Sequence, residues 1–526
     1  MSLLARITVW VVLGVLVALV NAPTVEYGFV YDDNAYILER APAWEQGWGE
    51  FFSERSFGVG RHFALLSLDL DRRDPLKAQP FHITNIAIAI LATILLWELA
   101  VALGLSLGGA LGAAALFAVH PVHPDAIVSI TGRAGSLAAV SVMGCLLMHA
   151  RGYGRGIAGY GAAGLLFLLG LASKEDALVL IPVLILYDLI VRPSTQNDAT
   201  PWRAYVAYAG VAIAWFAGIY SNLATVDAVG YFDNPLAHVN AWQRITRAAE
   251  LLWSYAAITV WPTDLLPDRA FATTRPETVA GPLGLIAWIL AIAAAFALRR
   301  RSPAAAFAFL WFPATFAVTA NVVFPIGTIM AERLAYLPSA GFCLLAGVAI
   351  AGIARRGRIA GSLTAVVAFV AVFAMGLAYD DRARVWASDD HYHWVATIMS
   401  PDSTKAHHNL GLLRARAGDY ELAAQSFERS LKLYPAFSRS ALYLADVYGR
   451  MDRPLDAART WERYVLEQPE DAGARSQILR LYLWMEDFES ALPHARAMVE
   501  LEPGEIEHVK SLVLIESRAR GENIVF

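Results

Sequence analysis

The sequence predicts an all-α protein: a polytopic membrane region of about eleven helices, followed by a helical solenoid. Three observations carry this. Of 526 residues, 57% are hydrophobic and only 17% charged, against about 25% charged in ordinary soluble domains. The charge is also unevenly spread: residues 401–526 hold 36 charged side chains, and the first 400 residues hold 53. Finally, Pro401, Pro435, Pro469 and Pro503 recur at intervals of 34 residues. Such a composition excludes disordered, collagen-like and disulfide-stapled chains and argues against a purely soluble enzyme. A net charge of −5 gives no reason to expect a nucleic-acid partner. Cys145 and Cys343 lie inside apolar runs, so no disulfide framework is implied.

Apolar stretches long enough to cross about 30 Å of hydrocarbon need roughly 17–25 residues. They recur at 4–22, 83–103, 105–122, 126–149, 155–172, 175–191, 204–222, 280–298, 302–322, 333–353 and 359–379. Ala248–Trp261 is shorter and carries Glu250 and Ser254, so it reads as an amphipathic or re-entrant segment at the interface. The basic loops test the count. With eleven spans, Arg6, Arg151 and Arg155, Arg192 and Arg203, Arg299 to Arg301, and Arg355, Arg356 and Arg358 all fall on one face, the cytoplasmic one. Counting Ala248–Trp261 as a span would split them. The run Ile7–Val20 also suits a signal peptide, but Pro23 directly after the small residues near Ala22 argues that it is kept as the first span. The opposite face then receives outer loops 23–82 and 223–279 and everything beyond residue 380. The expected division is a membrane domain at 1–380, a linker or half-repeat helix at 381–400, and repeats at 401–526.

The interval of 34 is the tetratricopeptide period, in which a small residue sits where two helices meet and a proline follows the second. Ala423, Ala457 and Ala491 keep the same interval, and about three units fit. Three units suffice to bury a shared core, and such arrays bind extended peptides or proteins in a concave groove.

Polar residues cluster on the non-cytoplasmic side. Loop 23–82 opens with Gly28-Phe29-Val30-Tyr31-Asp32-Asp33-Asn34. One of two adjacent carboxylates suits a general base for a hydroxyl, because like charges raise one pKa; the alternative is a solvated turn or helix cap. The same loop holds Arg61-His62, and Phe81-His82-Ile83-Thr84-Asn85 leads into the second span. His120, His123 and Asp125 are of divalent-metal ligand type, but Pro121 and Pro124 favour a rigid turn that separates the rings. Substrate contact is the third possibility there. Arg133 lies inside a span, where an unpaired cation costs several kcal/mol, which makes it a functional candidate. Lys77 and Lys174 are the two lysines before residue 400. Lys174 sits in the hairpin Ser173-Lys174-Glu175-Asp176, either as a phosphate-binding point charge or as one partner of an interface cluster. Phe324-Pro325, then Ala331-Glu332-Arg333-Leu334-Ala335-Tyr336, puts another ion pair at an outer boundary. Together these groups suit a lipid-linked, phosphate-bearing donor.

The order Val30-Tyr31-Asp32-Asp33, Phe81-His82-Ile83-Thr84-Asn85, His120-Pro121-Val122-His123-Pro124, Gly132-Arg133-Ala134, Ser173-Lys174-Glu175 and Ala331-Glu332-Arg333-Leu334-Ala335-Tyr336-Leu337-Pro338-Ser339 closely resembles the transmembrane and tetratricopeptide-repeat O-mannosyltransferases, which are fold-C (GT-C) polytopic glycosyltransferases. The resemblance covers nearly the whole chain. It implies transfer of a hexose, mannose above all, from a polyprenyl or dolichyl phosphate to a protein Ser/Thr hydroxyl by an inverting single displacement. It further implies Asp32 or Asp33 as the catalytic base, and Arg133, Lys174 and Arg333 around the donor phosphate. Arg61, His82, His120, His123, Glu175, Glu332 and Tyr336 would be supporting residues. No obligatory cofactor or metal is implied, and the partners are membrane lipids, the lipid-phosphate sugar and a protein or peptide acceptor held by the repeats. The chain departs from the family in having about three repeats, fewer than animal members, and in His62-Phe63 after Arg61, where proline and leucine are usual. Its Ala- and Arg-rich composition suggests a bacterial inner-membrane protein with site and repeats on the periplasmic face. Two other readings compete with transfer. One is a non-catalytic membrane scaffold with peptide-binding repeats; the other is a transporter of lipid-linked sugars, which would place charges near the bilayer midplane.

Overall fold

A computed structural model describes the chain except for residues 43–44, 46, 54–59, 73, 75–76, 153–156, 193–201, 224–233, 264, 266–279, 323–325 and 523–526. Arg155, Phe324-Pro325 and much of loop 223–279 therefore lie outside the described residues. The described secondary structure is helical, and the chain divides into two compact units at Tyr392–His393.

The longer described helices of the first unit are α1 (Leu3–Asn21), α2 (Gln79–Ala102), α3 (Leu107–Ala118), α4 (Arg133–Arg151), α5 (Ile157–Leu171), α6 (Leu180–Ile190), α7 (Trp202–Leu223), α8 (Ala241–Val260), α9 (Ala280–Leu298), α10 (Pro303–Thr315), α11 (Tyr336–Ala354) and α12 (Arg358–Ala383); shorter ones lie at Trp48–Ser53, His62–Asp71 and Pro124–Ile127. By length and apolarity, α1, α2, α4, α9, α11 and α12 qualify as membrane-crossing, and α3, α5 and α10 are shorter apolar helices. The protein is thus all-α with multiple candidate spans.

Several helices differ from the sequence reading for local reasons, among them α4, which starts at Arg133 and not at 126 because a separate short helix, Pro124–Ile127, and a turn precede it. Residues 175–179 form a 3₁₀ turn, and the α-helix starts only at Leu180. At α10, Pro313 lies near the C-terminal end, and the helix stops at Thr315 instead of running to 322. Helix α8 begins at Ala241, well before the expected Ala248. Asn240 accepts from Gln243 N (2.9 Å) while the Gln243 side chain accepts from Asn240 N (3.2 Å), a reciprocal cap that starts the helix.

Lipid tails are as apolar as leucine, so helix association inside a membrane relies on close packing and polar ties. Helices α3 and α11 meet through glycines: a Cβ on Gly347 would stand 2.5 Å from the Gly109 carbonyl oxygen, and one on Gly109 would stand 2.6 Å from Gly347 O. Gly347→Leu should therefore force these helices apart and destabilise the unit by at least about 1–3 kcal/mol. Thermal unfolding of the detergent-solubilised protein measures this, and an unchanged midpoint would refute the contact. Polar ties fix the ends. Glu98 near the end of α2 pairs with Arg6 of α1 and Arg151 of α4, and also accepts from Trp10 Nε1 (2.9 Å). At the other ends of α1 and α12, Tyr379 Oη donates to Asn21 Oδ1 (2.6 Å).

In the second unit the helices pack consecutively as Thr404–Ala417 with Tyr420–Leu433, Ser438–Arg450 with Pro454–Glu467, and Ala472–Trp484 with Phe488–Leu501, followed by Ile506–Ala519. Pro435, Pro469 and Pro503 each lie two residues beyond a second helix. Ala423, Ala457 and Ala491 are fully buried at the helix crossings, which is why a small residue recurs there.

Candidate functional site

The loop after α1 leaves it through Asn21 and reaches a sharp backbone reversal at Tyr31, whose φ of 57° lies in the left-handed region. That conformation is unfavourable for a bulky side chain and has to be held by its surroundings. Tyr31 N donates to Asp389 Oδ1 (2.8 Å), Asn34 Nδ2 donates to Asp389 Oδ2 (3.2 Å), and the Tyr31 ring stacks on Tyr392 with centroids 5.3 Å apart. The segment following α12 thus holds the loop.

The two adjacent carboxylates have opposite surroundings. Asp33 is 1% exposed. Its Oδ2 accepts from Val30 N (3.2 Å) and its Oδ1 from Thr131 N (3.0 Å), which staples the loop to the turn before α4. Burial pushes the Asp33 carboxyl up to about 7, against the two backbone donors, with the Asp32 charge adding to the rise. Asp32 is half-buried and lines a cavity of about 110 Å³.

Arg61, Lys174, Arg333 and Asp125 line the same cavity, as do Tyr31, Tyr36, Thr131 and Trp386. Each cation is steered by a carboxylate. Arg61 grips Glu175 with two bonds (Nε–Oε2 3.0 Å, Nη2–Oε1 2.6 Å). Lys174 Nζ lies 2.6 Å from Asp176 Oδ2. Asp125 Oδ2 accepts from Arg333 N (2.9 Å) and stands 3.6 Å from Arg333 Nη1. The neighbouring Glu332 is buried in a two-bond pair with Arg382 (2.9 and 2.8 Å), which anchors the Glu332–Ala335 turn to α12. Six groups from five separate stretches of the chain thus converge: Asp32, Arg61, Asp125, Lys174, Glu175 and Arg333.

Other expected site residues lie elsewhere. Arg133 is fully buried and does not line the cavity. Its guanidinium donates to Asn85 Oδ1 (2.6 Å), Ser67 O (2.7 Å) and Phe81 O (2.9 Å) and pairs with Asp71 (2.6 Å). It joins loop 1 to α2 and α4, because a guanidinium can span several acceptors at once. His82 Nε2 meets Tyr27 O (3.2 Å) and His120 Nε2 meets Thr259 O (2.9 Å). The His123 ring is wedged between Phe117 and Tyr336 and bonds Ser339 Oγ (2.8 Å). Each of the three is buried with a partner of its own, and among the described residues no group of three or more His, Cys, Asp or Glu side chains is placed to hold a metal ion. Tyr336 packs against His123 and lines a small recess beside the cavity. Of the two carboxylates the hairpin offers Lys174, the structure pairs it with Asp176; Asp389 and Arg382 have no signal in the sequence beyond the need of buried charges for partners.

A second, apolar cavity of about 470 Å³ lies next along the chain on both sides of the charged one. Trp48, Phe51, Phe52, Phe63, Leu168, Trp215 and Ile219 line it. Arg61 of the charged cavity is followed by His62-Phe63 of the apolar one, and Ala172 of the apolar cavity precedes Lys174 by two residues. Phe63 N donates to Ala172 O (2.8 Å), locking the two segments together. Gly60 (φ 79°) is required here: a Cβ would come 2.9 Å from Ile219.

The tetratricopeptide-repeat family matches residues 404–437. Over 366 residues the chain is 25% identical to "Protein O-mannosyl-transferase F38B6.6" of Caenorhabditis elegans, covering 68% of this chain and 51% of the relative. It is 31% identical over 247 residues to Protein O-mannosyl-transferase Tmtc2 of Drosophila melanogaster (42% and 26% covered). It is 22% identical over 491 residues to the human Protein O-mannosyl-transferase TMTC3 (82% and 52% covered). The chain spans about half or less of the length of these relatives. Among solved structures, MamA 41-end from Desulfovibrio magneticus RS-1 is 23% identical with a TM-score of 0.21, covering 25% of this chain and 75% of that one. The chain is thus similar to protein O-mannosyl-transferases and carries a C-terminal tetratricopeptide repeat. The relatives named are animal proteins and lend no support to a bacterial source.

Proposed function

We propose that this protein is a membrane glycosyltransferase that moves a hexose, mannose by its similarities, from a polyprenyl- or dolichyl-phosphate donor to a protein Ser/Thr hydroxyl. The observation that carries the reading is the shared lining of one cavity by Asp32, Arg61, Lys174 and Arg333. Asp32 takes the proton of the acceptor hydroxyl as its oxygen bonds to the sugar C1. The bond from C1 to the phosphate oxygen breaks, and the configuration inverts. The lipid phosphate leaves as an anion and needs no proton. Arg61, Lys174 and Arg333 receive the negative charge that grows on it, as preorganised cations do. The apolar, aromatic cavity takes the first isoprene units of the lipid. Asp33 and Arg133 act as positioning residues, and the repeats recruit the acceptor by tethering. A scaffold would have no need of carboxylate and cations facing one another beside an apolar cavity.

The test is incubation of the purified full chain, reconstituted in vesicles, with radiolabelled polyprenyl-phosphate hexoses and membrane proteins. Label should appear on Ser/Thr; absence of both transfer and donor hydrolysis would overturn the reading.

Eleven spans, with the site on the non-cytoplasmic face, are part of this proposal. The Asn21–Tyr379 bond supports it, because the C-terminal ends of α1 and α12 then share a face and the number of crossings is odd. The cluster of Glu98 with Arg6 and Arg151 supports the opposite, basic face. Single cysteines placed at Ser388 and Ser302 should react with an impermeant reagent from opposite sides; labelling from one side rules out eleven.

A further inference from the structure

Beside the charged cavity lies a recess of about 10 Å³, lined by Gly135, Asp176, Thr315, Thr319, Arg333 and Tyr336 among others. Gly135 and Arg333 also line the larger cavity, so the recess adjoins it. Its size matches a single oxygen-sized group, since about 10–15 Å³ of this kind of space holds one water. Three polar atoms on its lining residues are buried and make no hydrogen bond with the described residues: Asp176 Oδ1, Thr319 Oγ1 and Tyr336 Oη. Asp176 gives its other oxygen to Lys174 (2.6 Å), and Thr319 is 6% exposed at the residue level. A buried hydroxyl and a buried carboxylate oxygen left without partners each carry a desolvation penalty, and native proteins leave few such groups unsatisfied.

We infer that this recess receives one hydroxyl of the transferred hexose, with Asp176 Oδ1 accepting from it and Thr319 Oγ1 bonded to it. The inference rests on the proposed glycosyltransferase reading and adds a determinant of sugar specificity. A carboxylate acceptor beside a hydroxyl is the pairing that recognises a sugar OH, and the absence of that OH would leave both protein groups stranded. Asp176 joins the two subsites: one oxygen orients the Lys174 ammonium toward the phosphate region, and the other meets the sugar.

The experiment compares wild type, Thr319→Val and Thr319→Ser, each as the full chain in vesicles, with polyprenyl-phosphate mannose and its 2-, 3-, 4- and 6-deoxy analogues. Valine keeps the shape of threonine and removes the hydroxyl; serine keeps the hydroxyl. Thr319→Val should lower kcat/KM with the parent donor roughly tenfold, the size of one hydrogen bond. It should have no further effect on one deoxy donor, the one lacking the hydroxyl that enters the recess. Thr319→Ser should stay within about threefold of wild type on every donor. An equal loss on all donors would mean a fixed water or packing defect and would overturn the inference, as would no loss on any donor. Failure of wild type to transfer from any polyprenyl-phosphate hexose would instead overturn the underlying reading, and it would be seen before any variant is compared.

Discussion

Asp32→Asn is expected to reduce transfer by about 10²–10⁴-fold, the range for losing a general base, while the protein inserts, folds and still binds donor. The amide keeps the shape of the carboxylate at a half-buried position on the cavity wall. Asp33→Asn should behave in another way. An amide at 33 can accept from only one of the two backbone groups, Val30 N and Thr131 N, that the carboxylate now serves. The other N–H is stranded in a buried place, and the loop loosens. This variant should therefore lose thermal stability together with activity, by about 1–3 kcal/mol for the unsatisfied donor. Its pH dependence gives an independent check. Because burial raises the Asp33 carboxyl from 3.8 to about 7, the folded protein holds a proton there that the unfolded chain has released. Stability from this group is fully present below about pH 3.8 and is lost as pH rises to 7. Asp33→Asn should flatten that slope, whereas Asp32→Asn should weaken it only by the smaller share that the Asp32 charge adds to the effect of burial. Full transfer by Asp32→Asn would remove it as base, and a flat wild-type profile would mean that Asp33 is not held as described.

What the sequence made legible follows physical periodicity. The repeats announce themselves because a proline and a small residue must recur every 34 positions for helices to stack. The candidate spans are visible because hydrocarbon demands long apolar runs: each of the eleven expected stretches overlaps a helix, and six of those helices are long and apolar enough to cross a membrane. Helix ends were less visible: the 3₁₀ turn at Glu175–Val179 and the stop at Thr315 depend on packing that hydropathy does not encode. At the site, residue types were legible but their division of labour was not. Asp32 and Asp33 are identical in sequence chemistry and differ only in which faces the cavity. Arg133 and Arg333 both carry a guanidinium near a span end, yet the first is enclosed by carbonyls, Asn85 and Asp71, and the second keeps its side chain 30% exposed beside the cavity. The role of Asp389 depends on a contact spanning 358 residues that fixes Tyr31, and no local pattern points to it.

Arg333→Gln is expected to cut transfer by about 10²–10³-fold, the effect of deleting one preorganised group that meets charge developing in a transition state. Arg333 suits the test because its position is set through its backbone: Asp125 Oδ2 accepts from Arg333 N at 2.9 Å, a bond that glutamine retains. The fold should therefore survive, and the loss should appear in handling of the phosphate. The lipid phosphate product offers a readout apart from catalysis. Its inhibition constant should rise in Arg333→Gln, and inhibition by a neutral polyprenol should not change, since the apolar cavity is lined by other residues. Arg61→Gln makes the informative contrast. Arg61 holds Glu175 with two bonds, so its removal leaves a carboxylate without its strongest partner and should lower stability as well as activity. A double variant Arg61→Gln with Glu175→Gln removes both charges and should regain the stability lost in the single change, while phosphate inhibition remains weak. If stability returned together with wild-type phosphate inhibition, Arg61 would be a loop clasp alone. If Arg333→Gln left product inhibition unchanged, the anion would have to be held by Lys174, whose ammonium lies within reach of the same cavity.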